Sequence, residues 1–308
     1  MNGAPVGILL LDKPVGLSSN AALQRVRRLA GGVKAGHAGS LDPLASGMLP
    51  ICLGEATRFA GEMLALRKCY RFGVQLGERS ETGDAEGPIV ERCPVPALTR
   101  SGIEAVLARF TGEQQQVPPM YSALKRAGVP LYRLARQGVT VVRAARTLVI
   151  DELTLLMLQD DRLELRALCS KGTYVRVLAE DLARALGTCG RLYQLRREYV
   201  EPFDGEPMHS LEQLEACGQV GGDWPLLPAD RALGHLPALQ ITATALQALV
   251  HGQPVQGLAS GAGLWRLYQG SGRFVGLGES DAARTLRVRR LCSSASLAGT
   301  SAPPSTTA

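Results

Sequence analysis

Four histidines, two tryptophans and five lysines are all that 308 residues hold of these types, and no two cysteines form a C-x-x-C pair. Sparse histidine and unpaired cysteine spacing exclude a zinc framework, and no metal site is expected. The seven cysteines are odd in number, so all are read as reduced thiols of a cytoplasmic protein. No apolar run approaches the ~20 residues of a membrane span. Ile8 to Leu11 reads instead as a short buried strand, and the N-terminus lacks the charged-then-apolar layout of a secretion signal. No Walker loop or dinucleotide glycine fingerprint follows a strand, which argues against a nucleotide-dependent enzyme. There is no internal repeat.

What the chain does carry is arginine, 29 residues, and a net charge of +6. Arginines cluster at 25, 27 and 28, at 126, 133 and 136, at 143 and 146, at 191, 196 and 197, and at 287, 289 and 290. One such cluster is an ordinary solvated face, whereas five along one chain favour a track for phosphates. Between the first two clusters lies Gly36-His37-Ala38-Gly39-Ser40-Leu41-Asp42-Pro43-Leu44-Ala45-Ser46-Gly47-Met48-Leu49-Pro50. Pro43 pushes Asp42 out of the helical region, so its carboxylate is presented from an extended or turn backbone. A carboxylate held this way can be a nucleophile, a general base or a metal ligand, or only part of an Asp-Pro turn.

Hydrophobic periodicity gives a coarse outline. Ser19 or Asn20 can cap a helix carrying Leu23, Val26 and Leu29, which Gly31-Gly32 ends. A further helix is expected to end near Leu66. Residues 69–76 alternate, with Tyr70, Phe72, Val74 and Leu76 on one face, as in a half-buried antiparallel strand. Ser101 and Glu104 read as a capping box opening a helix with Ile103, Val106, Leu107 and Phe110 inward. Strands are expected near 146–157 and 162–169, and a helix from about Thr173 to Leu186. Residues 113–146, with three consecutive glutamines, several prolines and repeated arginines, are poor core material and suit a clamp. A linker is expected at Gly221 to Pro225, continued by Pro228 and Pro237. Beyond it come a short helix at Ala245 to Val250 and strands at 264–268, 274–277 and 286–291. The Ser/Thr/Ala/Pro-rich residues 293–308 read as disordered.

The Asp42 stretch resembles the G-H-x-G-x-L-D-P-x-A-x-G-x-L-P signature of the TruB-type pseudouridine synthases. Five more segments follow in that family's order: residues 7–19, Lys68-Cys69-Tyr70, Arg79 to Gly87, Pro118 to Lys125, and Lys171-Gly172-Thr173-Tyr174-Val175-Arg176. The resemblance implies an α+β fold, with a pseudouridine synthase core whose mixed, mainly antiparallel sheet is flanked by helices, plus a small β-rich PUA-like C-terminal domain. It implies a catalytic domain at 1–225 with an RNA-binding thumb at about 113–146, a PUA-like RNA-binding domain at 235–292, and a tail at 293–308.

By the same resemblance the chain is an isomerase acting on the T-stem-loop of tRNA at uridine 55, without cofactor, as a cytoplasmic monomer with no obligate protein partner. Asp42 is implied as the catalytic acid, attacking the sugar or removing a proton from it. Tyr70, by pattern a core residue, is implied to stack on the target base. Arg176 is implied to pair with Asp42. Physics points the same way, since a cation in the first turn of a helix is disfavoured by up to ~1 kcal/mol unless an anion compensates. RNA contacts are implied for His37, Lys68, Lys125, Arg126, Arg143 and Arg197, with Lys68 alternatively structural. Lys13, Asp84 and Leu195 are implied as supporting residues. Ser80-Glu81-Thr82 departs from the family's usual T-D-T. A non-catalytic tRNA chaperone and a guide-dependent synthase are the alternatives.

Overall fold

The computed structural model describes residues 5–220, 223–270 and 272–293. The first part of the chain runs through β1 (Gly7–Lys13), α1 (Ser19–Leu29), β2 (Ala35–His37), β3 (Ser46–Leu53), α2 (Ala60–Met63) and β4 (Lys68–Leu76). A hairpin of β5 (Glu78–Ser80) and β6 (Ile89–Arg92) follows, then α3 (Arg100–Phe110), β7 (Gly112–Gln116), the pair β8 (Lys125–Arg126) and β9 (Val129–Pro130), and α4 (Leu131–Arg136). Next come β10 (Arg146–Gln159), β11 (Arg162–Cys169), α5 (Val175–Ala185), β12 (Gly190–Val200) and α6 (Leu211–Val220).

One sheet organises these elements, in the order β1-β3-β12-β4-β11-β10-β7, with β2 also on β3. All its pairings are antiparallel except β12 on β3. The alternation in β4 puts Tyr70, Phe72, Val74 and Leu76 onto α3 and α5, against Ile103, Leu107, Leu178 and Leu182. The half-buried expectation is corrected, because β4 lies inside the sheet and all its residues but Arg71 are buried. Its other face is covered too: a Cβ on Gly73 would run into the Tyr193 ring. At the far edge, Leu9 and Leu11 of β1 pack on Ala22, Leu23 and Val26 of α1 and on Leu211 and Leu214 of α6. Each such leucine contributes about 2 kcal/mol when removed from water.

Local expectations shift at their ends. The N-cap of α1 is Ser18, which accepts from the Ala21 amide, so Ser19 is free for another task. The N-cap of α3 is Thr99, accepting from the Gly102 amide, and not Ser101. The stretch expected as a helix up to Leu66 is mostly a 3-10 turn at Gly54–Phe59 followed by the four-residue α2. Residues 112–116 are not clamp material but the edge strand β7, paired with β10.

The expected linker holds to the core. Trp224 packs with the α1 cluster, Leu227 pairs with Ile8, and Ala229–Leu233 form a 3-10 turn; Gly221 and Gly222 lie outside the described residues. Beyond it are β13 (Ala238–Ile241), α7 (Ala243–Val250), β14 (Val255–Gln256), β15 (Gly263–Gln269), β16 (Arg273–Ser280) and β17 (Thr285–Leu291). They form a second sheet, β13-β15-β16-β17-β14, with α7 on it. Phe59, Leu233 and Leu277 join this unit to the first, with Phe59 and Phe274 edge-on at 5.2 Å between ring centres. The tail expected to be disordered lies outside the described residues from 294 onward.

The reading of seven free thiols is also corrected. Cys93 and Cys189 are disulfide-bonded, with Cα atoms 5.7 Å apart. The bond fastens the end of the β5–β6 hairpin to the start of β12. Cys52, Cys69, Cys169, Cys217 and Cys292 are free.

Candidate active site

Asp42 sits in the loop between β2 and β3, and main-chain bonds fix that loop from several sides. The buried Ser19 hydroxyl accepts from the Leu41 amide (2.7 Å) and donates to the Leu41 carbonyl (2.9 Å). The Gly16 amide donates to the Pro43 carbonyl (2.8 Å) and the Ala45 amide to the Asp42 carbonyl (3.0 Å). Gly39 takes a left-handed φ of 81°, which turns the chain and presents its carbonyl to Arg197 Nη2 at 3.0 Å.

The Asp42 side chain is 41% exposed, and its Oδ2 accepts from Arg176 Nε at 2.9 Å. Arg176 is 5% exposed and lies in the first turn of α5, where the helix dipole disfavours a cation. Its remaining bonds go to two main-chain oxygens: Nη1 donates to Thr82 O (2.8 Å) and Nη2 to Tyr121 O (2.7 Å). Asp84 stands behind the pair with Oδ2 3.7 Å from Arg176 Nε. It is held by Thr82 Oγ1 and the Glu86 amide, both donating to its Oδ1. A planar fork bonded on three sides is itself fixed and meets one half-open carboxylate.

Tyr70 is 9% exposed and belongs to the cluster that also holds Leu41, Ala45 and Leu195, beside Asp42. Burial pushes its phenol up, only partly opposed by Arg197 on the neighbouring strand, so it stays protonated. Lys13 is fully buried, donating to the Pro14 (2.8 Å) and Leu17 (2.7 Å) carbonyls. Burial lowers its pKa to about 8, while the charges of Asp42 and Glu86 act the other way. His37 is half-buried, and burial followed by the Arg197 charge pushes its imidazole below its usual value. Its Nδ1 is buried without a partner.

Two expected phosphate contacts are placed elsewhere. Arg197 is 1% exposed and donates to Met48 O (2.6 Å) and Gly39 O, bracing the Asp42 loop from beneath. Lys68 is buried and donates to the Leu64 (2.9 Å) and Leu66 (2.5 Å) carbonyls, the structural one of its two readings. Lys125 and Arg126 are exposed on β8. Arg143 is half-buried and lines a cavity of about 500 Å³ that reaches Arg176. Sequence reasoning missed Ser19, hidden by its capping signal, and the Thr82 and Tyr121 carbonyls, which no side-chain pattern can announce.

Residues 27–175 match the TruB family pseudouridylate synthase N-terminal domain. Residues 176–233 match the tRNA pseudouridylate synthase B C-terminal domain, and residues 237–292 the pseudouridine synthase II TruB C-terminal domain. The tRNA pseudouridine synthase B of Chromohalobacter salexigens is 48% identical over 301 residues, covering 96% of this chain and 97% of its own. That of Aromatoleum aromaticum is 49% identical over 292 residues, covering 95% and 94%. Among solved structures, a chain of a Cbf5-Nop10-Gar1 complex shares the fold, with a TM-score of 0.73 at 24% identity over 94% of this chain and 85% of that one. With near-complete coverage by such relatives, and with Asp42 and Arg176 joined as the motifs imply, this chain belongs to the TruB family of pseudouridylate synthases.

Proposed function

We propose that the chain converts uridine to pseudouridine in tRNA, with Asp42, Tyr70 and Arg176 as its reacting constellation and uridine 55 of the T loop as its target. The reaction detaches uracil from C1′ of its ribose, turns it, and rejoins it through C5. It needs a group acting on the sugar, a surface to hold the free base, and little water. The half-open carboxylate of Asp42 supplies the first, paired with Arg176 at 2.9 Å. Tyr70 and Leu195 supply the second, from strands β4 and β12 buried beside the loop. A base reaches such a site only if its nucleotide leaves the stack. His37 borders the same loop and is read as a contact to that flipped nucleotide.

The observation that carries this reading is the Asp42–Arg176 pair, formed 134 residues apart at the open edge of the core. The exposed cations Lys125 and Arg126, with Arg143 behind them, lie on the 117–146 segment and would follow the stem backbone. The C-terminal unit, taken as 235–292, would add a second RNA contact. A chaperone has no need of a carboxylate pinned in this way, and the chain is read as acting alone, as a cytoplasmic monomer, on bare tRNA.

Asp42→Asn tests the reading. Purified variant should form no pseudouridine on a T-stem-loop without any guide RNA, while binding that RNA within about twofold of the unaltered protein. Activity retained in the variant would refute the assignment.

A further inference from the structure

Arg176 joins three segments that no helix or strand connects: the Asp42 loop, the turn of the β5–β6 hairpin at Thr82, and the loop between β7 and β8 at Tyr121. The last two are joined a second time. The Tyr121 hydroxyl donates to Glu81 Oε1 at 2.9 Å. The hydrogen bonds therefore close a ring, from Arg176 to the Tyr121 carbonyl, from the Tyr121 hydroxyl to Glu81, and from Thr82 next in chain back to Arg176.

We infer that Tyr121 and Glu81 are positioning residues, whose bond sets the two carbonyls that aim Arg176 at Asp42. Each loop also has its own anchor, since Gln116 exchanges two hydrogen bonds with Tyr174 and the Leu192 amide donates to the Gly83 carbonyl, and the Tyr121–Glu81 bond ties the two loops to one another. A cavity of about 500 Å³ lies between the two loops, lined by Glu81, Tyr121, Arg143 and Arg176 together with Val117 and Met120. Glu81 is itself held, through its amide, to the Pro88 carbonyl (3.0 Å). Tyr121 is coupled to the segment carrying Lys125, Arg126 and α4 through the Tyr132 amide, which donates to the Ser122 carbonyl (3.1 Å). The nearby carboxylate raises the Tyr121 phenol above its usual value, keeping it a proton donor. The ring thus makes the aim of the reacting carboxylate depend on where the base of the 117–146 segment lies. Glu81 also stands where the family motif carries the shorter aspartate.

This inference rests on the isomerase reading, and two measurements separate them. In single-turnover assays on tRNA, Tyr121→Phe should slow the chemical step about fivefold and leave the Kd within twofold. Glu81→Asp should do the same, Glu81→Gln should stay within twofold of the unaltered protein, and Tyr121→Phe with Glu81→Asp should be no slower than either alone. An unchanged rate, a loss confined to Kd, or multiplying effects would overturn the ring. Independently of activity, Hε of Arg176, followed by NMR with 15N-labelled arginine, should exchange with water about fivefold faster in Tyr121→Phe, with thermal melting reporting that the variant folds. Unchanged exchange overturns the inference even if the unaltered protein proves to be no isomerase.

Discussion

Buried cations give this site its character. Arg176, Arg197, Lys13 and Lys68 are each less than a tenth exposed, yet only Arg176 faces a carboxylate within hydrogen-bonding distance. The other three donate to main-chain carbonyls. Charge buried this way is costly unless every donor finds an acceptor. Burial holds the Lys13 pKa down at about 8, against 10.5 in an open chain, in line with that cost. Below pH 8 both folded and unfolded chains hold the proton, and the buried ammonium lowers stability. Between pH 8 and 10.5 the folded chain has released a proton that the unfolded chain still holds, so stability attributable to Lys13 rises with pH, by up to about 1.4 kcal/mol per unit. Urea unfolding of the unaltered protein and of Lys13→Met should therefore diverge between pH 8 and 10, in favour of the unaltered protein, by about 2 kcal/mol. A difference that stays flat over that interval would mean that the ammonium remains charged in the fold.

At the level of elements, the 117–146 segment separates the cations that meet solvent from those that brace loops. Lys125, Arg126, Arg133 and Arg136 are exposed and form no ion pair among the described residues. Other clusters read from the sequence as a phosphate track are spent within the protein. Arg191 pairs with Glu78, Arg196 with Asp12 and Arg287 with Asp281. Each phosphate neutralised on a duplex contributes about −0.9 to the slope of log K against log salt. Changing Lys125, Arg126, Arg133 and Arg136 to alanine should thus flatten the salt dependence of tRNA binding by up to about 3.6 in slope. Alanine at Arg191 and Arg196 should leave it unaltered. An equal effect from both sets, measured by filter binding across a salt series, would contradict this division. Charge runs in the sequence could not make it, because an arginine's pairing depends on carboxylates brought from distant strands.

Across the whole molecule, an aromatic cluster and two hydrogen bonds join the two sheets. Phe59, 1% exposed, sits between Leu233 and Leu277 and meets Phe274 edge-on. Removing a buried phenyl ring costs about 3–5 kcal/mol, and here the loss falls on the seam. Phe59→Ala should lower the melting temperature and speed proteolytic cleavage near Gly234 to Pro237, where the chain passes from one unit to the other. Cleavage at an unchanged rate would show that the bonds from Arg58 to the Leu291 carbonyl and from the Ser293 amide to Glu55 hold the units without the ring.

Near-neighbour chemistry was legible from the residues alone. Alternation in 69–76 gives a strand, glycines after Leu29 end a helix, and Pro43 fixes how Asp42 is presented, because each depends on atoms a few residues away. The motifs also implied the pairing of Asp42 with Arg176, which the fold forms. Register and depth were not legible. Periodicity shows which face of a strand is apolar, but not that β12 lies between β3 and β4, parallel to one and antiparallel to the other. That placement buries Arg197 beneath the Asp42 loop, and the arrival of α5 on the sheet brings Arg176 to its carboxylate. The Cys93–Cys189 bond, 96 residues apart, is of the same kind. Which partner a buried polar group meets is settled by long-range packing, since the acceptors that make burial tolerable come from segments far away in the chain.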